Sequence, residues 1–224
     1  MTDSLIFSKA RACADQIVLR FNATGAVAEI YQDSKRGIND IVFTSPSYRR
    51  AHISIVDARD TKKLWLLHCT IFPHIDDPSP IYGFDIVAGP NKVSGAFHDF
   101  SNVADKNHPM MEWFAENTKD IEWNKKRELP DWAKEIFSDS MVAIGAVGPE
   151  ELDAFIKIGL KSLDYYMQNV GKTKQEVYDY SEEQDRYCHY QKLNPHTPRV
   201  LVTLGFTEEE AKAFVAENLF PEIG

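Results

Sequence analysis

Apolar side chains recur along this chain with two different periods, and the change from one to the other divides it. Between residues 4 and 21, Ile6, Ala10, Cys13, Ile17 and Phe21 fall three or four positions apart, the spacing of one helical face. From about residue 25 the pattern shortens to alternation and brief apolar runs. These predict strands at roughly 25–31, 39–44, 50–57, 64–72, 81–88 and 92–98, joined mostly by short turn-rich links as in an antiparallel meander. Asp105 to Trp123 reads as a polar, irregular excursion with a short helix, and Arg127-Glu-Leu-Pro-Asp-Trp132 introduces another. The second half returns to the helical period. Residues 149–170 place Leu152, Phe155, Ile156, Leu163, Tyr166 and Met167 on one face, with Pro149 in the first turn and Gly171 as the stop. A further helix is predicted over 173–192. Thr207 and Glu210 form a capping box for the last helix, and Gly205 ends the short one before it. Strands first and helices afterwards, with a helix at each end, predict an α+β fold. Its form is a three-layer α/β/α sandwich, one central antiparallel sheet covered on both faces. With no repeat, linker or low-complexity tract, residues 1–224 read as a single domain.

Composition narrows the class. A chain of 224 residues, 43% apolar and 12% aromatic, has the makings of a packed core with pockets. The net charge of −9 argues against nucleic acid as a partner, although small basic groups remain at Lys35-Arg36, Arg49-Arg50, Lys62-Lys63 and Lys125-Lys126-Arg127. Cys13, Cys69 and Cys188 lie far apart with no CxxC pair, which points away from a cysteine-built metal centre and from a disulfide framework. The N-terminus lacks the layout of a signal peptide, and no apolar stretch approaches the roughly 18 residues that span a bilayer. A cytoplasmic monomer with no membrane attachment is the expectation.

The candidate chemistry sits where polar residues interrupt apolar strands. His68 lies in Leu64-Trp-Leu-Leu-His-Cys-Thr-Ile-Phe72 and Asp85 in Ile81-Tyr-Gly-Phe-Asp-Ile-Val87, with the loop Pro73 to Pro80 between them. If Phe72 stands opposite Ile81 in an antiparallel hairpin, His68 falls opposite Asp85, with Cβ atoms about 5 Å apart on one sheet face. An imidazole and a carboxylate buried together are a candidate acid/base pair. A structural His–Asp pair is an equally fair reading of these residues alone. His52 occupies another strand centre, and Asn194 precedes Pro195 where a turn is the ordinary role. Nucleotide loops, HExxH and GxSxG are absent. Spacing by itself stops at an α+β domain with a buried His/Asp pair.

Two segments carry a family likeness. Leu67-His-Cys-Thr-Ile-Phe-Pro73 followed by Pro80-Ile-Tyr-Gly-Phe-Asp-Ile-Val-Ala-Gly-Pro90 resembles the signature of the ferredoxin-dependent bilin reductases, including the seventeen-residue spacing from His68 to Asp85. The resemblance continues through Val93-Ser-Gly-Ala-Phe-His-Asp-Phe-Ser101, Arg127-Glu-Leu-Pro-Asp-Trp132 and Glu135-Ile-Phe-Ser138. It resumes at Tyr187-Cys188, Arg199-Val-Leu201 and Leu219-Phe220. It implies a bilin held between the sheet and the C-terminal helices, biliverdin IXα as substrate, and no tightly bound cofactor. Reduced [2Fe–2S] ferredoxin is implied as the external one-electron donor. It also implies that Asp85 is the central proton donor and His68 its catalytic partner. His52 matches a second histidine of the phycocyanobilin-forming branch, and Asn194 falls where the family places an Asn or Asp beside the bilin.

Two departures matter. The phycocyanobilin-forming branch carries His-x-Glu where this chain has His52-Ile53-Ser54, and that Glu serves reduction of the D-ring vinyl group. Serine hydrogen-bonds but does not deliver a proton as a carboxylic acid does. The resemblance, so modified, implies phycoerythrobilin as the four-electron product, formed through 15,16-dihydrobiliverdin, as in the phage-associated branch. Phycocyanobilin, or a non-catalytic bilin-binding protein, are the alternatives. The second departure is Gly145 near an Arg of that branch, so the carboxylate-binding residues do not carry over. His52, Ser54, Asn194, His196, Arg199 and Val200 are the substrate-binding candidates. Lys62-Lys63 and Lys125-Lys126-Arg127 are the candidate docking groups for ferredoxin.

Overall fold

The computed structural model describes residues 4–104, 108–175 and 177–224. In chain order its elements are α1 (Leu5–Asn22), β1 (Val27–Asp33), β2 (Ile38–Thr44), β3 (Tyr48–Ala58), the single turn α2 (Arg59–Lys62), β4 (Leu64–Pro73), β5 (Ile81–Ala88) and β6 (Val93–Ser101). They continue with α3 (Pro109–Thr118), α4 (Asp131–Lys134), β7 (Val142–Ile144), α5 (Pro149–Asn169), α6 (Ser181–Lys192), α7 (His196–Thr203) and α8 (Glu208–Phe214), which runs into a π turn, Val215–Leu219. Among the described residues the strands make one seven-stranded sheet in sequential order, antiparallel throughout. Helices cover both of its faces, and the fold is the α+β sandwich expected from the element order.

Strand alternation sends successive side chains to opposite layers. On β4, Trp65, Leu67, Cys69 and Ile71 join the core beneath α1 and α5, while Leu66 and Phe72 join the core beneath α6, α7 and α8. Helix α1 buries Ile6, Phe7, Ala10, Cys13, Ala14, Ile17 and Phe21, the face its spacing predicted, and the Ser4 hydroxyl caps it by accepting from the Phe7 N–H. Helix α5 lies so close to the sheet that a Cβ on Gly159 would come within 2.1 Å of the Phe84 ring. Phe84 instead stacks on Phe155 at 4.8 Å between ring centroids. The Thr207–Glu210 capping box forms as expected at α8.

One expectation is corrected, and one strand is added. The helix predicted over 173–192 begins only at Ser181. Before it, the Gln175 and Tyr180 N–H groups donate to the carbonyls of Asp76 and Ile75, both at 2.7 Å. The buried Asp77 carboxylate also accepts from the Gly171 N–H and the Thr173 hydroxyl. Tertiary hydrogen bonds to the β4–β5 loop thus replace the helical ones; Glu176 lies outside the described residues. Strand β7 was not anticipated, because three residues are too few to show alternation. The irregular excursion is helical over Pro109–Thr118, and its first three residues, 105–107, lie outside the described residues.

His98 is fully buried on the α1/α5 side, where its Nδ1–H donates to the Gly83 carbonyl at 2.7 Å and the Phe114 ring stands edge-on at 4.9 Å. Burial lowers its pKa from 6.5 to about 4. The folded state therefore binds fewer protons at this site than the unfolded chain, and stability falls as pH drops from 6.5 towards 4. Burial acts on Asp99 in the opposite sense, raising it to about 6. A comparison of His98→Phe with the parent chain isolates the histidine. The loss of unfolding free energy between pH 7 and 5 is expected to be about 2 kcal/mol smaller in the variant, read from urea midpoints. Equal losses in the two chains would contradict the burial argument.

Candidate active site

Sheet register lays one line of side chains across the face beneath α6, α7 and α8. Asp40 stands opposite Ser54, Ser54 opposite His68, His68 opposite Asp85, and Asp85 opposite Phe97. The hairpin register expected from sequence is the register that forms. His68 Nδ1 lies 2.6 Å from Asp85 Oδ1, and the Thr70 hydroxyl lies 2.8 Å from His68 Nε2. With Asp85 ionised, Nδ1 carries the hydrogen and Nε2 accepts from Thr70. When the imidazole is doubly protonated, Thr70 takes the acceptor role. The ring is thus held at both nitrogens in either state. The strand composition predicts a buried pair, and the structure corrects this: the Asp85 side chain is 35% exposed and that of His68 18%. Their face opens onto a cleft.

The cleft holds about 400 Å³, within the usual range for a small-molecule site. Its floor is the sheet, with Ser54, Val56, Leu66, His68, Asp85 and Phe97. Its roof comes from the C-terminal helices. Positions 196, 197, 200 and 201 share one face of α7 and line the wall. The π turn brings Leu219 to the wall and leads into Phe220, whose ring stands edge-on to His68 at 5.5 Å. A larger hollow of about 600 Å³ lies over residues 112–143 and holds neither His68 nor Asp85.

Of the residues singled out from sequence, His68, Asp85, Ser54, Asn194, His196 and Val200 line this cleft. Asn194 keeps its turn role as well, its Oδ1 accepting from the His196 N–H at 3.0 Å. Arg199 is exposed on α7 and takes no part in the wall. His52 is 1% exposed and sits behind the cleft, its ring 5.8 Å from that of His68. Burial lowers its pKa from 6.5 to about 4.

Sequence reasoning missed Phe97 and Gln191 as wall residues, and it gave Arg127 only a surface role. The Arg127 guanidinium reaches the cleft 5.6 Å from the Phe97 ring centre and donates to the Ser94 carbonyl at 2.5 Å. Arg127 and Phe97 fit because each has a neighbour without a side chain. A Cβ on Gly145 would lie 2.8 Å from the Arg127 Nε, and one on Gly95 would crowd the Phe97 ring at 2.9 Å. Nothing in the irregular stretch before Arg127 signals that contact. Asp40 joins the row only through the β2–β3 register, which no short motif in the sequence announces.

Among the described residues, no group of three or more His, Cys, Asp or Glu is placed to hold a metal ion. No helix among them is long and apolar enough to cross a membrane.

The profile of the family described as ferredoxin-dependent bilin reductase matches residues 22–221. A phycocyanobilin:ferredoxin oxidoreductase of Trichodesmium erythraeum is 31% identical over 183 residues, 79% of this chain and 74% of that protein. One from Gloeobacter violaceus is 31% identical over 189 residues, 80% of this chain and 71% of that protein. The solved structure of a protein named PcyX is 27% identical with a TM-score of 0.68, covering 96% of this chain and 99% of that one. Tomato phytochromobilin synthase, solved in complex with biliverdin, shares the fold at 13% identity with a TM-score of 0.63, covering 96% of this chain and 82% of that one. With the profile spanning nearly all of the sheet and the helices that roof the cleft, the chain belongs to the ferredoxin-dependent bilin reductases.

Proposed function

We propose that this chain, acting as one domain, reduces biliverdin IXα to phycoerythrobilin in two two-electron stages, by way of 15,16-dihydrobiliverdin. Reduced [2Fe–2S] ferredoxin is the external donor, and Asp85 and His68 supply the protons. The observation that carries this reading is the Ser54–His68–Asp85 row on the cleft floor. Each electron added to a conjugated bilin raises the basicity of its oxygens and methine carbons, so a proton must follow. Asp85 is the more exposed member of the pair and faces the cleft, and His68 at 2.6 Å refills it. Protons on such a pair belong to both groups. Each stage then adds two electrons and two protons to the bilin.

Ser54 supports the regiochemistry. It stands opposite His68 and lines the cleft, at the position where the resemblance places the carboxylate that serves the D-ring vinyl. Reduction to phycocyanobilin is the second reading, favoured by the names of the curated relatives and by Asp40, the carboxylate one strand beyond Ser54. Against it, Asp40 does not reach the cleft.

The test is anaerobic turnover of biliverdin with ferredoxin and its reductase, with products separated against bilin standards. Phycoerythrobilin, preceded by the dihydro intermediate, is the expected product; binding without reduction would leave a bilin carrier. Ser54→Glu is expected to divert a measurable share of product to D-ring-reduced bilin. If the parent chain already makes phycocyanobilin, the argument from Ser54 is wrong.

Ferredoxins are typically acidic, and basic groups gather at one end of the sheet. Lys92, Lys125, Lys126 and Arg127 line a single depression that shares Ser94 and Arg127 with the cleft. The Lys63 carbonyl lies beside the Gly89 turn at the same end. Lys125→Glu with Lys126→Glu is expected to raise the apparent KM for ferredoxin about tenfold at low salt, with the gap closing at high salt. An unaltered KM and salt dependence would place the docking face elsewhere.

A further inference from the structure

Behind the cleft lies a second histidine–aspartate pair. Asp40 on β2 and His52 on β3 point to the same sheet face as His68, and Asp40 Oδ1 lies 3.6 Å from His52 Nε2. Their side chains are 5% and 1% exposed. Neither carboxylate oxygen of Asp40 and neither ring nitrogen of His52 has a hydrogen-bond partner in the protein, and 3.6 Å is too long for a bond between them. Four such atoms at one place are a departure from the rule that buried polar groups are paired, and departures of this kind concentrate where proteins do chemistry. An ionised carboxylate left alone in such a site costs several kcal/mol. Each of these four atoms is thus open to a hydrogen bond that the fold itself does not supply.

The position of this pair bears on the reaction. A four-electron reduction consumes four protons, and Asp85 with His68 holds at most two at a time. Once a bilin fills the cleft, water no longer reaches that pair freely from the front. The His52 ring stands edge-on to His68, and Thr70, directly opposite His52 in the sheet, is bonded to His68 Nε2. Burial also keeps the imidazolium of His52 disfavoured, so a proton placed there is readily given up. The groups acting on the pair are His68 on β4 and Arg50 on β3, with Glu29 on β1 and Cys188 on α6 acting in turn on Arg50.

We propose that Asp40 is a positioning residue of this reaction, holding a proton jointly with His52 so that His68 is refilled from behind while the bilin covers the front. The inference rests on the reductase activity proposed above. When His68 passes a proton to Asp85 and Asp85 to the bilin, His68 is one proton short. The Asp40–His52 pair supplies it and regains one from a hydronium or buffer acid of the solvent, which is left as water or buffer base. The electrons come from ferredoxin and none passes through the pair.

Asp40→Asn keeps the shape and removes the acid; Asp40→Leu also removes the buried polar atoms, a change that stability tolerates well. In either variant biliverdin is expected to bind, by absorbance titration, within about twofold of the parent, because Asp40 does not touch the cleft. Turnover is expected to fall about tenfold or more, with the dihydro intermediate accumulating. The alkaline limb of the kcat–pH profile should move to lower pH, a shift that a purely structural role would not produce. Parental kcat and pH profile in a folded variant would overturn the proposal, and failure of both variants to fold would make Asp40 a residue of the fold only. A parent chain that binds biliverdin without reducing it would instead sink the reductase reading, and this role with it.

Discussion

The site depends on the register of β4 against β5. Side chains alternate between faces, so a slip of one residue would turn His68 or Asp85 into the core beneath α1 and α5 and dissolve the pair. What pins the register lies on the far side of the same strands. Phe84, next to Asp85, is wedged against Phe155 over Gly159, and the Tyr82 hydroxyl donates to the Gly159 carbonyl at 3.1 Å. The Tyr166 hydroxyl donates to the Pro80 carbonyl at 2.8 Å and fixes the loop between the strands. Packing on one face therefore positions the chemistry on the other, and the acid pair is free to face an open cleft.

The two layers differ in how completely they close. Beneath α1, α3 and α5 the core is continuous and rich in stacked rings, such as Phe100 on Phe114 at 4.7 Å and Trp113 on Tyr165 at 3.9 Å. Beneath α6, α7 and α8 it is smaller, and side chains such as Leu201, Phe214, Leu219 and Phe220 seal the margin of the sheet face. The polar row from Asp40 to Asp85 occupies that looser face. A fully packed layer there would have left those side chains no cleft to serve. The alternation along β5, with Tyr82, Phe84 and Ile86 buried and Gly83, Asp85 and Val87 partly exposed, is the same asymmetry at the scale of one strand.

Much of this was legible because it is local. The strands of the sheet from β1 to β6, helix α1, helix α5 with its Gly171 stop and the capping box at Thr207 each announce themselves within a dozen residues. The His68–Asp85 contact followed from a hairpin and its loop length. What escaped depends on distant partners. The segment before Ser181 gives up helix for hydrogen bonds to the loop at Ile75, Asp76 and Asp77. Arg127 reaches the cleft because a glycine sits at 145, and Phe97 keeps its place because one sits at 95. Arg199, a candidate on position and charge, falls on the exposed side of its helix, since adjacent helical residues point about 100° apart. Asp40 required the β2–β3 register, which no short-range signal in the sequence supplies.

The central claim is that the Asp85–His68 pair delivers the protons that follow each electron. It is tested most directly by giving reduced ferredoxin, anaerobically, to the biliverdin complex of Asp85→Asn and following it by absorbance and electron paramagnetic resonance. The account expects the first electron to enter and the bilin radical to persist, with little dihydro product formed. Reduction at the parental rate, with no lasting radical, would contradict it and assign the proton to another group.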